Sequence, residues 1–181
     1  MAISIHHTHT LTTPPQQAWQ LLHDNLPALA PWLPHVTRID VLKEQVISER
    51  RSARDYAWHV DEQIIPAVAK PFLREHLEAL HSASLWHHDQ HQVELHFYLD
   101  TVPGLLDCHG HFALLADPAG TLMTLQAEIM IQPEKLPRLP ALVGRSIRPT
   151  VERVVEDALR PALEALPEAL EALLARANET P

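Results

Sequence analysis

The last forty residues constrain the fold most. From Leu139 to about Ala177, apolar residues recur at helical spacing: Ile147, Val151, Val154/Val155, Ala158/Leu159, Ala162/Leu163, Leu166, Leu170 and Leu173/Leu174. Arg153, Asp157, Arg160, Glu164, Glu168 and Glu171 take the opposite side. One apolar stripe of that length must be covered by something of comparable size. Pro149, Pro161 and Pro167 each remove a backbone donor and crowd the preceding turn, so one long bent helix or two to three segments in series is expected.

Nearly everything before it that could cover the stripe has a period of two. Ala2–Leu11 alternates, with Ile3, Ile5, His7, His9 and Leu11 on one face. Thr13 as N-cap and Pro14 at the first helical position then start a helix running to about Asp24, and a second short helix follows over Leu26–Leu33. Val36–Leu42 with Val46–Arg50, as one long or two shorter strands, then Asp55–Ile64, Leu77–His88, Gln92–Leu99, Leu105–Leu115 and Thr121–Ile131 read as strands. His88–His91 and Asp117-Pro-Ala-Gly120 read as hairpin turns. Ile65–Leu73, with two prolines and an apolar cluster, reads as a loop or short helix lying over a sheet edge. The expectation is one α+β domain over residues 1–181, ordered from about 2 to 177. It consists of a curved antiparallel sheet of about six to seven strands wrapped around the long C-terminal helix, with two short helices after strand 1.

Composition excludes several functions. The net charge of −9 gives no excess of Lys and Arg to release counterions, so nucleic acid is not expected as a partner. No stretch reaches the roughly 18–20 apolar residues of a membrane span, and the N-terminus lacks a signal-peptide pattern. With Cys108 as the single cysteine, no internal disulfide forms, and a cytoplasmic location is the expectation. Four glycines and no phosphate-cradling loop, GxSxG or HExxH leave no nucleotide cofactor or familiar nucleophile, and no cofactor is expected.

The order of elements resembles the START/Bet v 1-like (SRPBCC) superfamily, whose architecture is the helix-grip fold. Three segments carry a narrower likeness to bacterial START-like proteins of the DUF2505 type: Ile65-Pro-Ala-Val-Ala-Lys-Pro-Phe72, Ala83-Ser-Leu-Trp-His87, and Ile129-Met-Ile-Gln-Pro133 leading through Leu139-Pro-Ala-Leu-Val-Gly144 into the long helix. The resemblance implies a cavity between sheet and helix for a lipid, sterol-like or polyketide-like molecule, in a carrier, a sensor, or a cyclase or dehydratase.

Parity and helical spacing supply the walls of such a pocket: Tyr56, Trp58, Trp86, Leu95, Phe97, Phe112, Met123, Leu125 and Ile129, with Ile147, Val151 and Val154 from the helix. The same residues could instead fill a solid core. His7 and His9, in phase with Ile3 and Ile5, are the candidates for an inward imidazole that binds ligand or acts as acid or base, with Glu62, Tyr56 or Glu128 as its partner. His109 and His111 share one strand face and are weak metal candidates, lacking a second ligand element in the sequence. Binding is therefore the favoured function over catalysis. A third reading has Leu163, Leu166, Leu170, Leu173 and Leu174 packing on a partner, in a chain that is a monomer or weak homodimer.

Overall fold

A computed structural model describes residues 2–179, excepting the side chains of residues 141 and 142. Seven antiparallel strands form one sheet: β1 (Ala2–Leu11), β2 (Val36–Ser48), β3 (Arg51–Val60), β4 (Ala79–His87), β5 (Gln92–Tyr98), β6 (Leu106–Asp117) and β7 (Gly120–Ile131). Their order across the sheet is β1-β7-β6-β5-β4-β3-β2, so the first strand closes on the last and β2 forms the other edge.

The chain crosses from β1 to β2 through α1 (Pro15–Asn25) and the 3-10 segment Leu26–Trp32. The helix starts one residue later than the Thr-Pro-Pro sequence predicts: Pro14 is its N-cap, and no side chain caps it. Thr13 is committed elsewhere, its carbonyl accepting a hydrogen bond from Thr121 Oγ1 at 2.6 Å. β3 likewise begins at Arg51 and ends at Val60, because β2 and β3 are one hairpin. The outer half of its β2 arm is exposed and carries no alternation of burial.

The β3–β4 connection contains the 3-10 turn Glu62–Ile64 and the four-residue α2 (Lys70–Leu73). Its 3-10 turn packs against the helix Ala141–Glu164. Ile65, Ala69 and Leu73 anchor the connection in the core.

The long apolar stripe becomes α3 (Ala141–Glu164) and α4 (Leu166–Glu179). Pro149 and Pro161 are tolerated within α3, and the break falls at Ala165. Pro167 suits that position: lacking an N–H, it sits without cost in the first turn of the next helix. α3 buries Ile147, Val151, Val154, Val155, Ala158, Leu159, Ala162 and Leu163 in the common core. α4 turns back onto α1, the 3-10 segment and β1. There Leu163, Leu166, Leu170 and Leu174 are buried within the chain and Leu173 packs against the core. These leucines are therefore taken up by the chain's own core, Leu173 only in part.

At Gly110 on β6 the neighbouring strand comes close. A Cβ on Gly110 would stand 3.0 Å from the Ala127 Cβ and 3.0 Å from the Gln126 carbonyl on β7, so a larger residue would force β7 to give by a few tenths of an ångström.

Candidate functional site: the inner sheet face and its polar inlay

Alternation on β3 and β4 turns Ser52, Arg54, Tyr56, Trp58 and Val60, and opposite them Leu80, Ser82, Ser84 and Trp86, toward the helices. All the aromatic and aliphatic residues expected to line the interior are buried in one continuous core, including Leu95, Phe112, Met123, Leu125 and Ile129. They divide into two groups. Trp58 and Phe97 meet edge to face at 5.3 Å, close to α3. Trp86 packs against Phe112 at 6.1 Å and against Trp19 of α1 at 5.3 Å.

Between the first group and α3 lies a void of about 10 Å³, lined by Val36, Trp58, Val60, Leu80, Phe97, Ala158, Leu159, Ala162 and Leu163. That is space for about one water molecule. A larger concavity of about 510 Å³ opens at the surface between Ile64, Pro66 and Val68 of the β3–β4 connection and Pro149, Thr150, Arg153, Val154 and Asp157 of α3. The packing therefore leaves a narrow interior and a wide groove at the surface beside α3.

The interior is not uniformly apolar. Trp58 Nε1 donates to Ser82 Oγ at 2.9 Å, Trp86 Nε1 donates to Ser84 Oγ at 2.8 Å, and Ser84 Oγ donates to the Arg54 carbonyl at 2.8 Å. Among the described residues, two buried side-chain atoms lack a well-formed hydrogen bond, the Tyr56 hydroxyl and Arg54 Nε, although the two side chains lie close enough to interact. Burial pushes the Tyr56 phenol up to about 12, the neighbouring guanidinium pulling it back only in part. Burial also works against the Arg54 charge, but the ion pair with Glu44 at 2.6 Å and the nearby phenol outweigh it, and the pKa rises. Arg54 is thus a fixed cation beside a neutral phenol at the inner wall.

Next to Arg54, α1 is fastened to the sheet by a run of hydrogen bonds whose direction is determined by one residue. Trp19 Nε1 can only donate, and it donates to His88 Nδ1 at 3.2 Å. A neutral His88 then carries its proton on Nε2, 2.9 Å from Ser52 Oγ. The Ser52 hydroxyl is left to donate to His23 Nε2 at 3.3 Å, and His23 Nδ1 to donate to Asp24 Oδ1 at 2.8 Å. Arg54 Nη1 closes the group by donating to the His23 carbonyl. Burial lowers the His88 pKa, with His23 and Arg54 adding to the effect, so His88 favours the neutral form this pattern requires. Ser52, His23 and Asp24 stand in the order of a nucleophile, base and orienting acid. Ser52 is only 4% exposed under α1, however, so a carbonyl substrate has no approach to its hydroxyl. The arrangement as folded locks α1 in place.

The histidines singled out by parity lie elsewhere. His7 and His9 are half-buried on β1, and His9 Nε2 is 3.3 Å from Glu171 Oε2 on α4. His9 therefore ties the last helix to the first strand. Of its expected acidic partners, Glu62 pairs with Arg74 at 3.2 Å and Glu128 is exposed on the sheet's outer face. Cys108 points inward as its parity requires, and burial raises its thiol to about 12. His109 and His111 face outward and both border a shallow groove with His6, Gln126 and Glu128; His109 is also drawn to Asp107 at 3.0 Å, on the side of His96.

Sequence reasoning did not reach Ser52, Arg54, His23, Asp24 and His88 as one group. Arg54 and Ser52 are in phase with Tyr56 and Trp58, a signal that could have placed them inward. The pairing of α1 with the β4–β5 turn has no local sequence signature.

No protein-family model matches the chain, and no curated protein matches it by sequence. Solved structures do match. The Zhui aromatase/cyclase from Streptomyces sp. R1128 superposes with a TM-score of 0.62 at 15% identity, over 99% of this chain and 98% of that one. A START superfamily protein from Mycobacterium smegmatis gives 0.52 at 14% identity, over 97% and 98%. The Bet v 1-type allergen Ara h 8.0201 gives 0.53 at 9% identity, over 97% and 99%. With its seven-stranded curved antiparallel sheet and long C-terminal helices, the chain has the helix-grip fold of the START/Bet v 1-like proteins.

Proposed function

We propose that this protein binds one small hydrophobic molecule, lipid, sterol-like or polyketide-like, between the sheet and α3, as a cytoplasmic carrier or sensor. The observation that carries the reading is the pair without well-formed hydrogen bonds at the inner wall, Tyr56 Oη and Arg54 Nε. Buried polar atoms are nearly always hydrogen-bonded, and leaving one unpaired costs about 1–3 kcal/mol. An apolar ligand with a single carbonyl, hydroxyl or carboxylate would supply the missing partner while its body lies against Trp58 and Phe97. The groove of about 510 Å³ beside α3 is the natural entry, and its volume suits a small-molecule site. Because the enclosed void is only about 10 Å³, binding requires the β3–β4 connection and α3 to part. The fold neighbours support the reading, since one is an aromatase/cyclase and others are START and Bet v 1 proteins.

Native mass spectrometry of the purified protein, with melting curves across fatty acids, sterols and aromatic polyketides, tests it. A retained 1:1 ligand and a raised melting temperature are expected. No complex and no shift across the panel overturns the proposal.

An enzymatic reading, of the cyclase or dehydratase kind, is favoured by the proton-ordered run from Trp19 to Asp24. It requires α1 to lift so that His23 or His88 meets the ligand. Turnover of a poly-β-ketone substrate that is abolished in both His23→Gln and His88→Gln variants would establish it; turnover that survives them would remove it.

A further inference from the structure

The outer face of the sheet carries a feature independent of the interior. β5 and β6 pair antiparallel with His96 opposite His109, and Asp107 lies two residues before His109, hence on the same face. The two imidazoles stack with ring centres 4.3 Å apart and planes 1° from parallel. Their Nε2 atoms converge on one carboxylate oxygen: His96 at 2.7 Å and His109 at 3.0 Å from Asp107 Oδ1. One ligand atom from each residue lies within 4.8 Å of the others. Among the described residues this is the group of histidine, cysteine and acidic side chains with metal-ligand proximity.

We infer that His96, Asp107 and His109 form a binding site for a borderline divalent metal ion of the zinc class. Two imidazole nitrogens and one carboxylate oxygen are a donor set that zinc accepts, and three protein ligands leave a position open for water or a further ligand. The rigid part of the site is already built, because two adjacent strands fix all three Cα positions. A metal would replace the two contacts to Asp107 Oδ1, each ring turning slightly so that its Nε2 lone pair meets the ion while the carboxylate withdraws to bond length. The three side chains are partly exposed, at 40%, 42% and 66%, so the ion can enter without unfolding. Net charge supports cation capture: the chain carries −9.

The open position has somewhere to face. His96 and Asp107 border a concavity of about 440 Å³ completed by Tyr98, Asp100, Pro103 and Gln132. On the other side, Glu128 of β7 is the register partner of His109 and offers a carboxylate as a fourth ligand or to the outer imidazole nitrogen.

Equilibrium dialysis and calorimetry of chelator-stripped protein with Zn²⁺, together with the visible spectrum of the Co²⁺-loaded protein, test this. One equivalent should bind, and His96→Ala or His109→Ala should each weaken it about tenfold or more, with Asp107→Asn also weakening it. His111→Ala, on the same strand face but outside the cluster, should bind as the parent does. Circular dichroism should be unchanged in all four variants, since these side chains are not in the core. No stoichiometric uptake, or uptake equal in the parent and the His96→Ala and His109→Ala variants, overturns the site. The hydrophobic-ligand assays are blind to this face, so either proposal can fail without the other.

Discussion

Replacing Tyr56 by phenylalanine removes one oxygen from the inner wall and leaves the ring in place. The hydroxyl is buried, the residue being 1% exposed, and lacks a well-formed hydrogen bond. In the empty protein its loss relieves an uncompensated desolvation of about 1–3 kcal/mol. For a chain of this length each kcal/mol moves the melting temperature by about 2–4 °C, so Tyr56→Phe should melt roughly 2 to 12 °C above the parent. The same oxygen is the proposed anchor for a polar group on the ligand. Loss of a neutral hydrogen bond, about 0.5–1.5 kcal/mol, should weaken binding roughly two- to twelvefold. Calorimetric melts and urea titrations at neutral pH measure the first effect, and titration with the best ligand of the panel measures the second. A gain in stability coupled to a loss of affinity is the signature of a site held ready for ligand. A variant less stable than the parent by 1 kcal/mol or more would mean that the hydroxyl is satisfied within the protein, by Arg54 foremost, and the reasoning would fail.

Other consequences are as direct. Ser52→Ala removes the centre of the run between His88 and His23, leaves two imidazole nitrogens unpaired, and should cost about 1–3 kcal/mol in urea unfolding. His88 has a pKa lowered by burial from its ordinary 6.5, so the unfolded chain binds that proton more readily. Its share of the stability is complete above about pH 6.5 and is lost as pH falls toward the folded value, so urea midpoints should drop between pH 7.5 and 5, with a smaller drop in His88→Gln. Cys108, buried and raised to about 12, should resist thiol reagents in the native protein and react at once in denaturant.

The architecture was legible because burial imprints a period. β4 alternates half-buried and buried positions throughout, and the C-terminal stripe keeps its helical spacing into α4. Where the period fades, so does the reading. The exposed arm of β2 buries almost nothing, which hid the hairpin boundary with β3. Ser82 and Ser84 look like surface residues in composition, yet they point inward to receive the two indole N–H groups, a demand set by Trp58 and Trp86 across and along the strands.

The sites were less legible because they are products of register. His96 and His109 are thirteen residues apart in the chain and face each other only through the β5–β6 pairing. His23 and His88 come together only because α1 crosses the sheet. His7 and His9 were recognisable by phase, but phase does not reveal that α4 folds back to put Glu171 beside His9.

The central claim, an apolar ligand held between the sheet and α3, is tested most directly by energy transfer from the interior tryptophans to a fluorescent fatty acid such as cis-parinaric acid. Trp58 lines the void beside α3, and Trp86 stands six register positions further along β4, opposite Ser52 where Trp58 faces Leu80. The account predicts saturable 1:1 transfer that is weakened in Tyr56→Phe and displaced by the ligand the protein retains. Transfer that is absent, or that rises without saturation and is indifferent to Tyr56→Phe, would contradict it.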